Sequence, residues 1–215
     1  MPANLLSGNY QKKCIKGSKF LSSLDQDWNS LVSSVGPCKL NLSIELEPYQ
    51  ALIKSVIFQQ LRPASATAIF NRFKQNFDNN FPTEEKILAS PESKLKESGL
   101  SFNKRKTIIE IARHVQKGEL ENRQNFLMMN DSQIIEKLTK IKGIGEWTAQ
   151  MLMIFNLGKL DVFPAGDFAL RKNYSLFKSI ASPLTMRELS KISEEWKPFR
   201  SIAAWYLWRY RNILN

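Results

Sequence analysis

One carboxylate, Asp167, follows the loop Phe163-Pro164-Ala165-Gly166 and stands at or near the start of a predicted helix. A carboxylate presented this way can stabilise positive charge developing on a reacting centre, and it can orient or deprotonate an attacking water. Upstream lies a short Lys-flanked turn, Ile141-Lys142-Gly143-Ile144-Gly145-Glu146, between two apolar patterns of helical spacing. Ile134, Ile135, Leu138 and Ile141 precede it, and Ala149, Leu152, Met153 and Phe155 follow it. Glycines at 143 and 145 allow a tight turn and leave amide N–H groups uncovered by side chains. A helix starting there adds its own unsatisfied N–H groups and the positive end of its dipole. Such a turn is a site for one phosphate of a nucleic-acid backbone.

Other chemistries find less support. His114 is the only histidine, with no cysteine pair nearby, so metal binding and His-based catalysis lack a basis. Cys14 and Cys38 are too few for a disulfide framework or a four-cysteine iron–sulfur cluster, and two free thiols are expected. No apolar run is long enough to span a bilayer and no signal peptide is evident, which predicts a soluble intracellular protein with no membrane partner. At 215 residues the chain can form one large or two small domains. Its formal charge of +11 and pI near 9.7 suggest an anionic partner, without separating DNA, RNA and acidic lipid.

LxxIKGIGxWTAxxL followed by VFPAGD resembles the helix-hairpin-helix DNA glycosylases, most closely the alkylation-repair branch of 3-methyladenine DNA glycosylase II type. The resemblance resumes at Glu47 and runs almost to the C-terminus. It implies Asp167 as the catalytic carboxylate and Lys142, Gly143, Ile144, Gly145 and Thr148 as the hairpin that holds the DNA backbone. It implies further that Leu61, with Arg62 as its competitor, is the wedge pushed into DNA when a base leaves the stack. Without the resemblance, Leu61 reads as a core residue at a helix end. Trp147, Trp208, Gln60 and Phe58 would line the base pocket, whereas Trp196 and Trp205 read as core. A monovalent cation, Na+ or K+, at the hairpin carbonyls of Ile141 and Ile144 is a further implication, and no other cofactor is required. Bifunctional relatives carry a Schiff-base lysine where Trp147 stands, so a monofunctional hydrolase is expected. Met151 and Arg209 occupy positions that are often aromatic in the family, which leaves the pocket less aromatic than in some relatives.

These residues depend on the helices that carry them. Pro48 begins a predicted helix with Tyr49, Leu52, Ile53, Val56 and Ile57 as its apolar stripe, and Pro63 forces a break after the Phe58–Arg62 run. The next helix would turn Ala64, Ala68, Ile69, Phe70, Phe73 and Phe77 inward. Thr83 and Ser90 read as N-caps, with Pro91 at the first position of its helix and Gly99 as a terminator. Ser101 leads into a helix with Ile108, Ile109, Ile111, Ala112 and Val115 on its apolar side, and Lys104, Arg105 and Lys106 at its start meet either a phosphate or solvent. Thr185 and Glu188 fit a capping box for a helix through Trp196, and the last helix follows Pro198. In the first forty-odd residues, Phe20, Leu21, Leu24, Trp28, Leu31 and Val32 suggest a helix, and Lys12, Lys13, Lys16 and Lys19 a solvated basic face. Relatives sometimes carry an N-terminal β domain, for which this chain has room only in compact form.

The expected fold is all-α, with two helical subdomains, a helix-hairpin-helix motif and a lesion-binding cleft between them. Residues 1–44 form an N-terminal extension, 45–98 with 180–215 one subdomain, and 99–179 the central one. The expected function is a monofunctional, monomeric glycosylase that releases alkylated purines from double-stranded DNA, cytoplasmic in a bacterium and nuclear in a eukaryote. Alternatives are a non-catalytic helix-hairpin-helix DNA-binding protein, or a glycosylase for hypoxanthine or ethenoadenine.

Overall fold

The structure is a computed structural model that describes residues 3–213. Thirteen α-helices and one 3-10 turn occur among the described residues, and no strand. In chain order they are α1 (Ala3–Ser22), α2 (Gln26–Val35), α3 (Pro48–Phe58), α4 (Pro63–Gln75), α5 (Glu84–Ala89), α6 (Glu92–Glu97) and α7 (Phe102–Gln116). After these come α8 (Arg123–Met128), α9 (Asp131–Thr139), α10 (Glu146–Phe155), α11 (Phe168–Phe177), α12 (Met186–Ile192) and α13 (Arg200–Ile213), with the 3-10 turn at Ser193–Trp196. The all-helical expectation holds. The expected compact β version of the N-terminus does not, because that segment is helical. Asp25 caps α2 by accepting from the Trp28 N–H at 2.8 Å, which splits the single helix expected there into two.

Two compact units form, one from residues 1–42 and 153–215, the other from 43–152. This is not the expected division, in which 180–215 joined 45–98. The C-terminal helix pairs instead with the two N-terminal helices, so residues 1–42 are part of a unit rather than an extension. Gly17 shows why α1 can approach α13: a Cβ on it would come within 2.2 Å of Ile202 Cδ1. The Tyr206 hydroxyl of α13 is 2.8 Å from both Ser18 Oγ and the Gly36 carbonyl, which ties α13 to α1 and to the end of α2. Trp28, Phe163 and Tyr174 pack around Trp196, Phe177 packs edge-on against Trp28, and Trp196 and Trp205 are core as expected.

In the second unit α3 buries Ala51, Leu52, Ile53, Val56 and Ile57 against α7, which contributes Thr107, Ile108, Ile111 and Ala112. An aromatic cluster of Phe58, Phe70, Phe73, Phe77 and Phe81 secures α4. Ala64 and Ala68 are exposed, contrary to expectation, and Ala66 is the small residue that α4 buries. The Thr83 cap and the Thr185–Glu188 capping box both form. Gly99 ends its helix with φ of 88°.

Candidate active site

The hairpin is built in the second unit. The Ile141 N–H donates to the Leu138 carbonyl, and the Ile144 N–H to the Ile141 carbonyl at 3.0 Å, while Ile141 and Ile144 are buried as anchors. Gly143 has φ of 93°, and a Cβ there would lie 2.0 Å from Thr107 Oγ1. Glycine is therefore required twice over at 143, by backbone conformation and by the close approach of α7. At Gly145 the backbone lies outside the left-handed region and an added Cβ would meet nothing within 4 Å. The turn expected to need both glycines needs only the first; the second keeps a surface bare. The Ala149 N–H to Gly145 carbonyl bond is the first of the α10 ladder, so residues 145–148 supply the amides of an exposed helix start. Lys142 is exposed beside them.

The loop after α3 presents Gln60 and Leu61 to solvent. Gln60 is a non-glycine residue at φ of 56°, in the sparsely populated left-handed region. Leu61 is 38% exposed, which excludes the core reading of this residue. Arg62 is exposed and precedes Pro63, the first residue of α4. Phe58 is half-buried and meets Phe70 edge-on at 6.3 Å. Thr148 is buried, and its hydroxyl accepts from Gln59 Nε2 at 2.8 Å. Trp147 is 37% exposed at the start of α10.

Asp167, in the first unit, is the N-cap of α11, with its Oδ1 accepting from the Leu170 N–H at 3.1 Å. The Pro164 carbonyl accepts its backbone N–H at 2.8 Å, which tightens the turn that Pro164 and Gly166 impose. The carboxylate is half-buried, and its neighbours Gly166, Phe168 and Ala169 are exposed. A carboxylate at this position is stabilised by the helix N-terminus. Trp208, half-buried on α13, stacks at 30° on Phe155 with ring centroids 5.7 Å apart. Arg209 lays its guanidinium 3.7 Å from the Trp205 ring centroid, and burial pushes its pKa down. Met151 is buried.

Sequence reasoning missed three residues near these groups. Phe155 reads as one more apolar helix position, yet it is the partner of Trp208. Gln59 is indistinguishable by type from Gln60. Lys104 reads as one of three cations at a helix start. Only contacts between residues distant in sequence distinguish them. Among the described residues, no cluster of three or more His, Cys, Asp or Glu could hold a metal ion, and no helix is long and apolar enough to cross a membrane.

Comparison with known proteins agrees with this arrangement. The chain is similar to DNA-3-methyladenine glycosylase 1 of Schizosaccharomyces pombe, with 40% identity over 202 residues that cover 93% of this chain and 89% of that protein. It is also similar to the alkylbase DNA glycosidase-like protein mag2 of the same organism, 37% identical over 196 residues covering 90% and 92%. Among solved structures it matches the S. pombe 3-methyladenine DNA glycosylase Mag1 in complex with abasic DNA, with a TM-score of 0.86 and 39% identity, covering 90% of this chain and 95% of that one. Residues 53–198, which include the hairpin, the Gln60–Leu61 loop and Asp167, match the family model described as HhH-GPD superfamily base excision DNA repair protein. With the hairpin and the downstream carboxylate both inside that match, the chain belongs to the HhH-GPD superfamily of base excision DNA repair proteins.

Proposed function

We propose that this protein is a monofunctional DNA glycosylase that hydrolyses the N-glycosidic bond of alkylated purines, of the 3-methyladenine and 7-methylguanine type, in double-stranded DNA. The observation that carries the reading is Asp167, a half-buried carboxylate fixed at a helix start in a chain that otherwise favours anions. A carboxylate facing a DNA backbone weakens binding, so its presence argues for chemistry rather than for a binding module alone. The chain's similarity to proteins named as 3-methyladenine glycosylases supports the lesion class.

A base inside a duplex hides its glycosidic bond, and rotating the nucleotide outward costs roughly a few kcal/mol. The amides of the α10 start and Lys142 would hold a phosphate, and Leu61 or Arg62 would fill the space left in the stack. Leu61 is the first candidate, and its exposure leaves it open to that role, as does that of Arg62. Alkylation at ring nitrogens leaves the purine positively charged, and an indole face attracts a cation by about 0.5–2 kcal/mol. Trp147 and Trp208 would favour such bases, with Phe58 and Gln60 completing the pocket.

As the C1′–N bond lengthens, its electron pair leaves with the base and neutralises the positive charge there. The sugar becomes oxocarbenium-like and is stabilised by the Asp167 carboxylate. Water then adds to C1′ and gives up a proton, with Asp167 as the nearby acceptor. Trp147 supplies no amine, so no imine with the sugar forms there. A monovalent cation would be held by the carbonyls of Ile141 and Ile144. Ile141 already accepts from the Ile144 N–H, but a carbonyl oxygen has a second lone pair for such an ion, which would add positive charge near the same phosphate. The reading puts the enzyme inside the cell with the DNA it repairs, acting as a monomer.

The test is base release from methylated duplex DNA by the wild-type protein, with chromatography of the freed bases. Release of 3-methyladenine or 7-methylguanine without strand cleavage is expected. Tight, salt-sensitive DNA binding with no release of any alkylated base would instead make the protein a binding module.

A further inference from the structure

The loop that carries Gln60 and Leu61 is held by a lysine that the proposed chemistry does not use. The last carbonyls of an α-helix lack intrahelical donors and form the negative end of its dipole. At the end of α3 the Lys104 ammonium, reaching across from α7, donates to the Ile57 carbonyl at 2.9 Å and to the Gln59 carbonyl at 2.8 Å. The neighbouring cations do otherwise. Arg105 pairs with Glu92 at 3.0 Å and donates to the Leu100 carbonyl, and Lys106 lies 4.2 Å from the Phe102 ring centroid. Burial lowers the pKa of Lys104, which fits an ammonium withdrawn from water into backbone contacts rather than one held out to a ligand.

Two further contacts complete a frame around the loop. Gln59 Nε2 donates to the buried hydroxyl of Thr148 on α10, 2.8 Å away, which fixes the loop to the helix that the hairpin opens. One turn beyond Lys104 on the same face of α7, Thr107 packs against Gly143 so closely that a Cβ there would be 2.0 Å from its hydroxyl. The first turns of α7 thus touch both the loop and the hairpin. The frame also accounts for Gln60 at φ of 56°, since such a backbone is strained and persists only where its surroundings enforce it.

We propose that Lys104 is a positioning residue that, with the Gln59–Thr148 bond, locks the Gln60–Leu61 loop in register with the hairpin. The residue entering the stack and the grip on the phosphate then act as one rigid piece, and no energy is spent ordering the loop after DNA binds. The inference rests on the reading of Leu61 as the residue that fills the stack.

Lys104→Met in the full-length protein tests it, by two measurements. Amide hydrogen exchange of the free protein needs no substrate, and Gln60 and Leu61 are expected to exchange faster in the variant while residues 141–145 stay as protected as in the wild type. Single-turnover base release is expected to fall by about 10- to 100-fold, the scale of a small misplacement remote from the chemistry, with affinity for undamaged duplex unchanged. Lys104→Arg, which can still donate to both carbonyls, should recover most of the rate. Lys104→Gln, which keeps a donor, should give an intermediate rate and covers the case in which Met at this partly buried position impairs folding. Wild-type release and wild-type exchange in Lys104→Met would overturn the proposal. So would a loss of affinity for undamaged DNA that matches the loss of release, because Lys104 would then be a phosphate contact. Failure of the wild-type protein to release any alkylated base would defeat the glycosylase reading, and the exchange comparison would still decide the role of Lys104.

Discussion

Asp167 has two jobs in this structure, and they can be separated by choosing the substitution. Its Oδ1 caps α11 through the Leu170 N–H, and its charge is what the proposed chemistry uses. Asparagine keeps a side-chain oxygen in the same place and is as good an N-cap as aspartate. Asp167→Asn should therefore keep the cap and lose the interaction of the charge with the helix dipole, about 0.3–1 kcal/mol. Asp167→Ala loses the cap as well, about 1 kcal/mol more, which for a chain of this size lowers Tm by a further 2–4 °C or so. Both variants remove the carboxylate that, in the proposed chemistry, faces the oxocarbenium-like sugar. A positioned electrostatic partner of that kind is worth about 2.7–4 kcal/mol, or roughly 10²–10³-fold in rate. The assay is single-turnover release of base from methylated duplex DNA, run beside thermal melting and duplex binding. The expected pattern is equal, large losses of release in both variants, a lower Tm chiefly in the alanine one, and no loss of DNA affinity in either. Wild-type release by Asp167→Asn would remove the carboxylate from the mechanism. An asparagine variant that melts as low as the alanine variant would refute the capping argument, and its lost activity would then report on a frayed helix.

Gly143→Ala forces a left-handed alanine and a clash with Thr107, and should cost about 2–5 kcal/mol by denaturant unfolding. Gly145→Ala should leave stability within about 1 kcal/mol, yet weaken duplex binding, because its methyl group would stand where the phosphate approaches; wild-type affinity would remove that surface from the interface. Borohydride reduction during turnover should trap no protein–DNA adduct, and an adduct lost in a Lys→Ala variant would overturn the monofunctional assignment. Lys178 donates to Asp25 at 2.7 Å and to Asp27 at 2.6 Å. Burial pushes the Asp25 carboxyl up, but the hydrogen bonds from Lys178 and the Trp28 amide outweigh it and hold it below its ordinary value. The resulting stability is present above the unfolded carboxylate pKa, about 3.9, and is lost as pH falls through the lower folded value. Burial lowers the Lys178 pKa, but its two carboxylate partners raise it overall, so its contribution is lost only as pH rises above the ordinary lysine range. Lys178→Met should cost roughly 0.5–1 kcal/mol near neutral pH, since the carboxylates are largely solvated, and the deficit measured by thermal melting should shrink as pH falls through the lowered Asp25 value.

Much of the site was legible because its signals are local. A hairpin between two apolar helical patterns, a proline-containing loop ahead of a carboxylate, and capping residues at Thr83 and Thr185 each declare themselves within a few positions. The exposure of Leu61 was not legible, since a leucine at a helix end serves a core or a surface equally well by sequence. Thr148 hid its partner for the same reason. Its place after the hairpin suggests contact with DNA, whereas its hydroxyl is taken by Gln59, a residue far away in the chain.

The sequence by itself determined the helices, the turn at Gly143, the position of Asp167 as a cap and the basic character of the chain, because propensity, capping and charge act over a few residues. Only the tertiary structure decided which helices group together, with α13 joining α1 and α2 rather than α3 to α6. It alone revealed Lys104 beneath the Gln60–Leu61 loop and Phe155 beside Trp208. Those outcomes depend on which surfaces meet once the chain has collapsed, where a missing Cβ at Gly17 or one lysine within reach of two carbonyls decides the contact, and no local pattern encodes such a meeting.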